Sequence, residues 1–126
     1  MNPTKCSEAL AELEGLLEPH LWITDLNWQA GLIGVATVTG QAKPLGLTVD
    51  KFGRIAPGEY GPTEIRAAMF ASAQEAIRVV EEAGYRHDRH PALTIDGRAQ
   101  RENAVTILHT EATLTLTLKP PKREAS

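Results

Sequence analysis

Residues 61–84 read GPTEIRAAMFASAQEAIRVVEEAG and have the spacing of an amphipathic α-helix. Apolar side chains recur every three or four positions and so share one helix face: Ile65, Met69, Ala73, Ala76, Ile77 and Val80. Residues 56–62 predict a proline- and glycine-rich loop, and Gly61 or Thr63 can cap the helix that follows. Glu64 in its first turn interacts favourably with the helix dipole. Gly84 is typical of the residue just past a helix end. The segment therefore predicts a long helix that ends before Gly84.

The N-terminal segment predicts another helix, over residues 3–17. Asn2 and Pro3 suit a helix start. Apolar residues follow at helical spacing on an otherwise acidic segment, at Cys6, Leu10, Leu13 and Leu17. Pro19 disfavours helical geometry in the residue before it, so the helix ends near residue 17.

Between the two helices the apolar pattern changes to a period of two, which is typical of β-strands. We expect strands over residues 21–28, 32–39 and 45–49, because apolar residues alternate there between glycine-rich turns. Strands joined by such turns form an antiparallel meander. Residues 85–101 show no period of their own and are rich in charge, which predicts an outward-facing loop.

The closing segment is β-like, and its final part alternates threonine and leucine over residues 113–118. Val105 and Ile107 are apolar at odd positions, whereas the leucines stand at even positions. A bulge or tight turn near residues 109–112 would absorb this change. Residues 103–118 therefore form either one bulged strand or a hairpin.

These elements predict one α+β domain over residues 1–118, with two helices packed on one face of an antiparallel sheet of four to five strands. The element order is α-β-β-β-α-β(-β). A chain of 126 residues fits one domain of this kind. The last residues, 119–126, read KPPKREAS and predict a disordered, basic, proline-containing tail.

Composition excludes several classes of protein. With 42% hydrophobic residues the chain is not wholly disordered, and a net charge of −3 argues against nucleic acid bound through overall charge. No apolar run approaches the ~20 residues of a membrane-spanning helix, and no signal-peptide pattern follows Met1. Cys6 has no second cysteine to pair with, which favours a reducing compartment. We expect a compact cytoplasmic protein, bacterial or phage-like, that does not bind membranes.

The most unusual local composition in the chain is a concentration of arginine and histidine in the predicted loop. Its members are Arg86, His87, Arg89, His90, Arg98 and Arg101. Four arginines against Asp88 and Asp96 give this segment a formal charge of +2, whereas two lysines against six acids give the first fifty residues −4. Guanidinium groups bind phosphate and carboxylate through a planar fork. The six residues are therefore the candidate ligand-binding site. The alternative is a solvated loop whose arginines pair with Glu81, Glu82 and Glu102.

Two further features predict an interface. Thr113, Thr115 and Thr117 face one side of a regular strand that, at a sheet edge, would pair with a second copy or a partner chain. We therefore expect self-association, with a homodimer as the commonest small assembly. Trp22 and Trp28 fall on one side of their strand by simple alternation, as a stacking platform or as packing residues. That strand carries no lysine or arginine, which argues against nucleic acid.

No catalytic residue is assigned, because the sequence has no phosphate-binding loop, nucleophile elbow or metalloprotease helix. The pair His87 and His90 lacks the further ligands that a structural zinc ion needs, so we expect no metal and no cofactor. We predict a non-enzymatic interaction or regulatory protein that presents a sheet edge and the Arg/His loop to a macromolecular partner. The alternatives are a protein that binds a small anion or nucleotide through the loop, and a small enzyme using His87, His90 and Asp88.

Overall fold

A computed structural model describes residues 3–29, 34–47, 60–102 and 105–121. It contains two helices and a five-stranded antiparallel sheet, which confirms the predicted α+β class. The elements in chain order are α1 (Pro3–Leu17), β1 (Leu21–Gln29), β2 (Val35–Ala42), α2 (Pro62–Glu82), β3 (Arg86–His87), β4 (Ala92–Glu102) and β5 (Val105–Lys119).

Of the two expected N-cap candidates, Gly61 and Thr63, helix α2 uses Gly61. Gly61 is extended, and Pro62, expected in the preceding loop, is the first helical residue. The Gly61 amide donates a hydrogen bond back to the Glu64 carboxylate, at 3.4 Å. This hydrogen bond satisfies the Gly61 N–H, a backbone donor that has no partner within the helix, and it keeps a negative charge in the first turn.

Helix α2 ends where Gly84 adopts a φ of 96°, a left-handed conformation that glycine tolerates. The Gly84 amide donates to the Glu81 carbonyl at 3.0 Å, and the Tyr85 amide donates to the Val80 carbonyl at 3.0 Å. This pair of hydrogen bonds is a Schellman motif. Tyr85 then enters the core, and its hydroxyl donates to the Glu12 carboxylate of α1 at 2.9 Å. The helix end thus ties α2 to α1.

The core lies between the helices and one face of the sheet. Alternate residues of β2 are buried, as are Leu114, Leu116 and Leu118 of β5. The helices contribute Leu13, Leu17, Met69, Ala73, Ala76 and Val80 to the same cluster. The small side chains at 73 and 76 let α2 lie close to the sheet. Ser72 is also fully buried, and its hydroxyl donates to the Lys43 carbonyl.

The third strand of the expected meander begins at Leu45, where the structure has a turn instead. Residues 45–46 are in that turn, Gly46 has a φ of 79°, and Leu47 is in a bend. Leu45 is 49% exposed, so its side chain does not alternate into the core. Val49, the end of the expected strand, lies outside the described residues.

The outward-facing loop expected over residues 85–101 is wrong. Tyr85 is only 4% exposed, and two strands, β3 and β4, occupy most of the segment. β4 pairs antiparallel with β5 from Ala92 opposite Thr115 to Glu102 opposite Val105. Leu93 and Ile95 of β4 pack against the core cluster, so they provide the alternation that a half-buried strand requires.

Strand β5 is a single strand at the centre of the sheet. Its register with β4 runs without interruption through residues 109–112, so the expected bulge or turn there is wrong, and the hairpin partner of β5 is β4. β2 pairs along one side of β5, while β3 and β4 pair along the other. Residues 113–118 are therefore not an edge. Lys119, expected to start the tail, is the last residue of β5.

Candidate functional site

The structure separates the six residues of the predicted ligand-binding site. Arg86 lies opposite Lys119 of β5, whereas Arg98 lies opposite His109. Those two β5 positions are ten residues apart, which is about 33 Å along a strand. Arg101 lies opposite Thr106, further still from Arg86. The antiparallel β4–β5 hairpin therefore carries Arg98 and Arg101 away from the other four residues.

Three of the remaining residues, Arg86, Arg89 and His90, lie near Lys119 in the chain fold, and we call these four residues the cationic end. The first three are exposed, and Lys119 pairs with Asp88 at 3.3 Å. Among the described residues, no carboxylate lies within ion-pair distance of Arg86 or Arg89. The cationic end thus keeps two guanidinium groups open to an external anion.

The glutamates expected to pair with these arginines contact other residues. Glu82 accepts a hydrogen bond from Arg78 at 2.6 Å, and Glu81 lies 3.5 Å from His87 Nε2. Both ring nitrogens of His87 are buried without a hydrogen-bond partner in the described part of the chain. His90, in contrast, is exposed. The two histidines therefore differ in exposure, since the His87 side chain is half-buried. Within the described ranges, no three histidine, cysteine or acidic residues are grouped to hold a metal ion.

The two tryptophans lie on opposite faces of the sheet, so the expected shared face is wrong. Ile23 pairs with Gly40 and Asp25 pairs with Thr39, which leaves Thr24 as an extra residue in a β-bulge. One extra residue reverses the alternation that follows it. Trp28 consequently packs against the core. Trp22 lies opposite Gln41, on the face away from the helices.

That second face, which we call the threonine face, carries Thr37, Thr39, Thr113, Thr115 and Thr117. All five are half-buried. The Thr39 and Thr115 hydroxyls are 3.3 Å apart across the β2–β5 pair. On β1, Trp22 borders this face with the Lys43 ammonium 5.8 Å from its ring centroid, a cation–π distance. The predicted interface threonines thus share a face with Trp22 but not with Trp28.

The feature that the sequence prediction missed is the free side of β4, which we call the β4 edge. Eleven consecutive residue pairs join β4 to β5 with no register shift. Within the described residues β4 pairs with no other strand. The opposite edge, β1, is interrupted by the bulge at Thr24, a device that discourages pairing with other chains. The alternation of Leu93 and Ile95 was the available signal for β4.

A depression of about 540 Å³ opens to solvent on the outer side of α2. It is lined by Gln74, Ile77, Arg78, Glu81 and Glu82. Arg78 donates to Glu75 at 2.7 Å and to Glu82 at 2.6 Å. Hydrogen bonding from Arg78 lowers the pKa of Glu75, while the hydrogen bonds to Glu75 and then Glu82 raise the pKa of Arg78. Arg78, the basic residue of this lining, is therefore already paired with two carboxylates.

No helix in the described part of the chain has the length and apolar character needed to cross a membrane. Comparisons of the chain with protein-family models, with curated proteins and with solved structures found no match.

Proposed function

We propose that this chain is a non-enzymatic interaction protein that binds a protein partner along the β4 edge. The observation that supports the proposal is the length and regularity of β4, an eleven-residue strand paired in unbroken register with β5 alone among the described strands. The proposed surface is a sheet edge, the kind of surface that the sequence analysis also proposed. It lies on β4 rather than on residues 113–118.

The backbone of an edge strand explains why β4 could bind a protein partner. Alternate N–H and C=O groups of an edge strand point away from its neighbour and accept an added strand, so a partner gains main-chain hydrogen bonds along the whole edge. Side chains beside the edge then select the partner. Those of Thr94 and Asp96 are exposed. β4 is anchored beneath by Leu93 and Ile95, which pack on the core, so the edge is held rigid for binding.

Photo-crosslinking tests this proposal. A benzoyl-phenylalanine placed at Thr94 of the full chain, expressed in its source cell, should give protein adducts of defined mass. The control places the same group at Asn27, an exposed position on the bulged β1 edge. We expect at least five times more adduct from position 94, with a second copy or with another protein. Equal labelling from both positions, or no adduct from position 94, would contradict the proposal.

A second candidate is the binding of a small anion or nucleotide at the cationic end. It is supported by Arg86 and Arg89, which are exposed and have no carboxylate partner among the described residues. Guanidinium groups free of internal ion pairs bind phosphate oxygens in bidentate geometry. Arg98 and Arg101 no longer belong to this candidate site, because the hairpin carries them to its far end.

A thermal-shift series with nucleoside triphosphates tests the second candidate. We expect the nucleotide to raise the melting temperature of the wild type by a few degrees, since ligand binding stabilises the folded state by mass action. The double variant Arg86→Ala/Arg89→Ala should melt at the wild-type temperature without nucleotide and show no shift with it. Arg78→Ala, which removes an equally exposed arginine from α2, is the matched control and should keep the shift. No shift in the wild type would remove this candidate.

A further inference from the structure

We propose that the partner at the β4 edge is a second copy of this chain, paired antiparallel with β4 about Gly97. In this register Asp96 of each copy lies opposite Arg98 of the other. The inference rests on the proposed function, and it adds both the partner and the register. The two sheets would join into one continuous sheet with all helices on the same face.

Symmetry limits the possible registers. Two identical antiparallel edges are related by a two-fold axis perpendicular to the sheet, and the axis passes through one residue so that facing side chains stay on the same face. An axis through Asp96 or Arg98 sets that charge against its own copy. An axis through Ala99 places Asp96 opposite Glu102 of the other copy. An axis through Gln100 sets Arg98 opposite Glu102, but it pairs only residues 98–102 of the strand. The axis through Gly97, the midpoint of β4, pairs all eleven residues and creates two pairs of opposite charge, which stabilise cross-strand pairing.

The charges within one copy also favour the register about Gly97. Asp96 lies directly opposite Glu111 of β5, so two carboxylates are cross-strand neighbours, an unfavourable arrangement. Asp96 is exposed, and neither carboxylate has a cation within ion-pair distance among the described residues. Arg98 of a second copy, opposite Asp96 in this register, would supply a positive charge.

Two of the other facing pairs in this register match in polarity, because Ile95 would face Ala99 of the second copy and Thr94 would face Gln100. At the two ends of the edge Leu93 would face Arg101 and Ala92 would face Glu102, which adds no charge pairing. At the axis Gly97 has no side chain, and Arg66 Nη2 of α2 lies 3.6 Å from the place that a Cβ atom would take. In this register the exposed Arg66 side chains of the two copies would approach one another. Their repulsion would offset part of the favourable charge pairing between Asp96 and Arg98.

The other sheet edge does not support the same pairing. β1 contains one charged residue, Asp25, so no register of β1 with itself creates a pair of opposite charges. The bulge at Thr24 also breaks its regular series of backbone groups. The inference therefore assigns self-association to β4 rather than to β1.

Exchanging the charges of Asp96 and Arg98 tests this register. The dimer dissociation constant of the full chain is measured by sedimentation equilibrium. We expect the wild type to be dimeric, and Asp96→Arg and Arg98→Asp each to raise the dimer dissociation constant at least tenfold, because each sets like charges opposite at both positions. An equimolar mixture of the two variants should form a heterodimer, since every facing pair is then opposite in sign. The double variant Asp96→Arg/Arg98→Asp should dimerise like the wild type. Asp25→Arg on β1 is the control and should leave the dimer unchanged.

Circular dichroism of each variant separates loss of pairing from loss of folding, and recovery in the mixture is itself evidence that both single variants are folded. A wild type that stays monomeric at high micromolar concentration would overturn the inference. Folded single variants that still dimerise, or whose mixture stays monomeric, would overturn it too. If the wild type is monomeric while position 94 still crosslinks to another protein, the proposed function stands and only the second copy is wrong.

Discussion

Replacing Leu116 by alanine is expected to lower the free energy of unfolding by roughly 2–5 kcal/mol. Leu116 lies on the central strand β5 and is fully buried under the helices. Its removal loses the transfer free energy of the side chain and leaves a cavity that rigid neighbours do not fill. Small domains are stable by only about 5–15 kcal/mol, so the loss is a large part of the total.

Urea denaturation followed by tryptophan fluorescence measures this loss, at one protein concentration because self-association would add to the apparent stability. Thr113→Ala is the matched control, since Thr113 is on the same strand but on the threonine face. We expect the control to lose less than about 1 kcal/mol, the range of strand propensities. Equal losses from the two variants would show that β5 does not bury its even-numbered residues.

Adding one methyl group at Gly40 is expected to cost about 1–3 kcal/mol, because a tightly packed site has no room for it. Gly40 lies in β2 opposite Ile23, beside the β1 bulge. A Cβ atom there would stand 3.0 Å from the Trp22 carbonyl oxygen and 3.2 Å from the Leu21 Cβ. The first of these neighbours is backbone, so the strand itself has to move.

The same glycine-to-alanine change at Gly15 should instead raise the free energy of unfolding. Gly15 lies in α1, and a Cβ atom added to it meets nothing within 4 Å. Gly15→Ala should therefore stabilise the protein by roughly 0.5–1 kcal/mol, the cost of glycine in a helix relative to alanine. The measurement is the urea midpoint of both variants. A Gly40→Ala variant as stable as the wild type would contradict the close contact between β1 and β2.

The candidate site was predictable only in part. The sequence identified exposed arginines at 86 and 89, since charge close to a helix end indicates a surface. It did not show that Arg98 lies about 33 Å along the sheet, because that separation depends on antiparallel pairing with β5. The β4 edge was missed because Asp96, Gly97 and Arg98 interrupt the apolar alternation that Leu93 and Ile95 begin.

The faces on which the two tryptophans lie were also not predictable from the sequence alone. Simple alternation places Trp22 and Trp28 on one face, and a single extra residue at Thr24 separates them. The bulge forms where Gly40 allows β1 and β2 to approach closely, so it depends on a contact between two strands. No local signal in β1 itself contains that information.

By itself the sequence determined both helices, with the end of α2, and the α+β class, because caps and helical spacing act between neighbours in the chain. Tertiary structure alone decided that β5 is the central strand, that β4 pairs with β5 alone among the described strands, and that the arginines of the expected site divide into two groups. Strand order and register come from backbone groups that pair across long stretches of chain. Their partners are therefore chosen by the whole fold and not by the residues beside them.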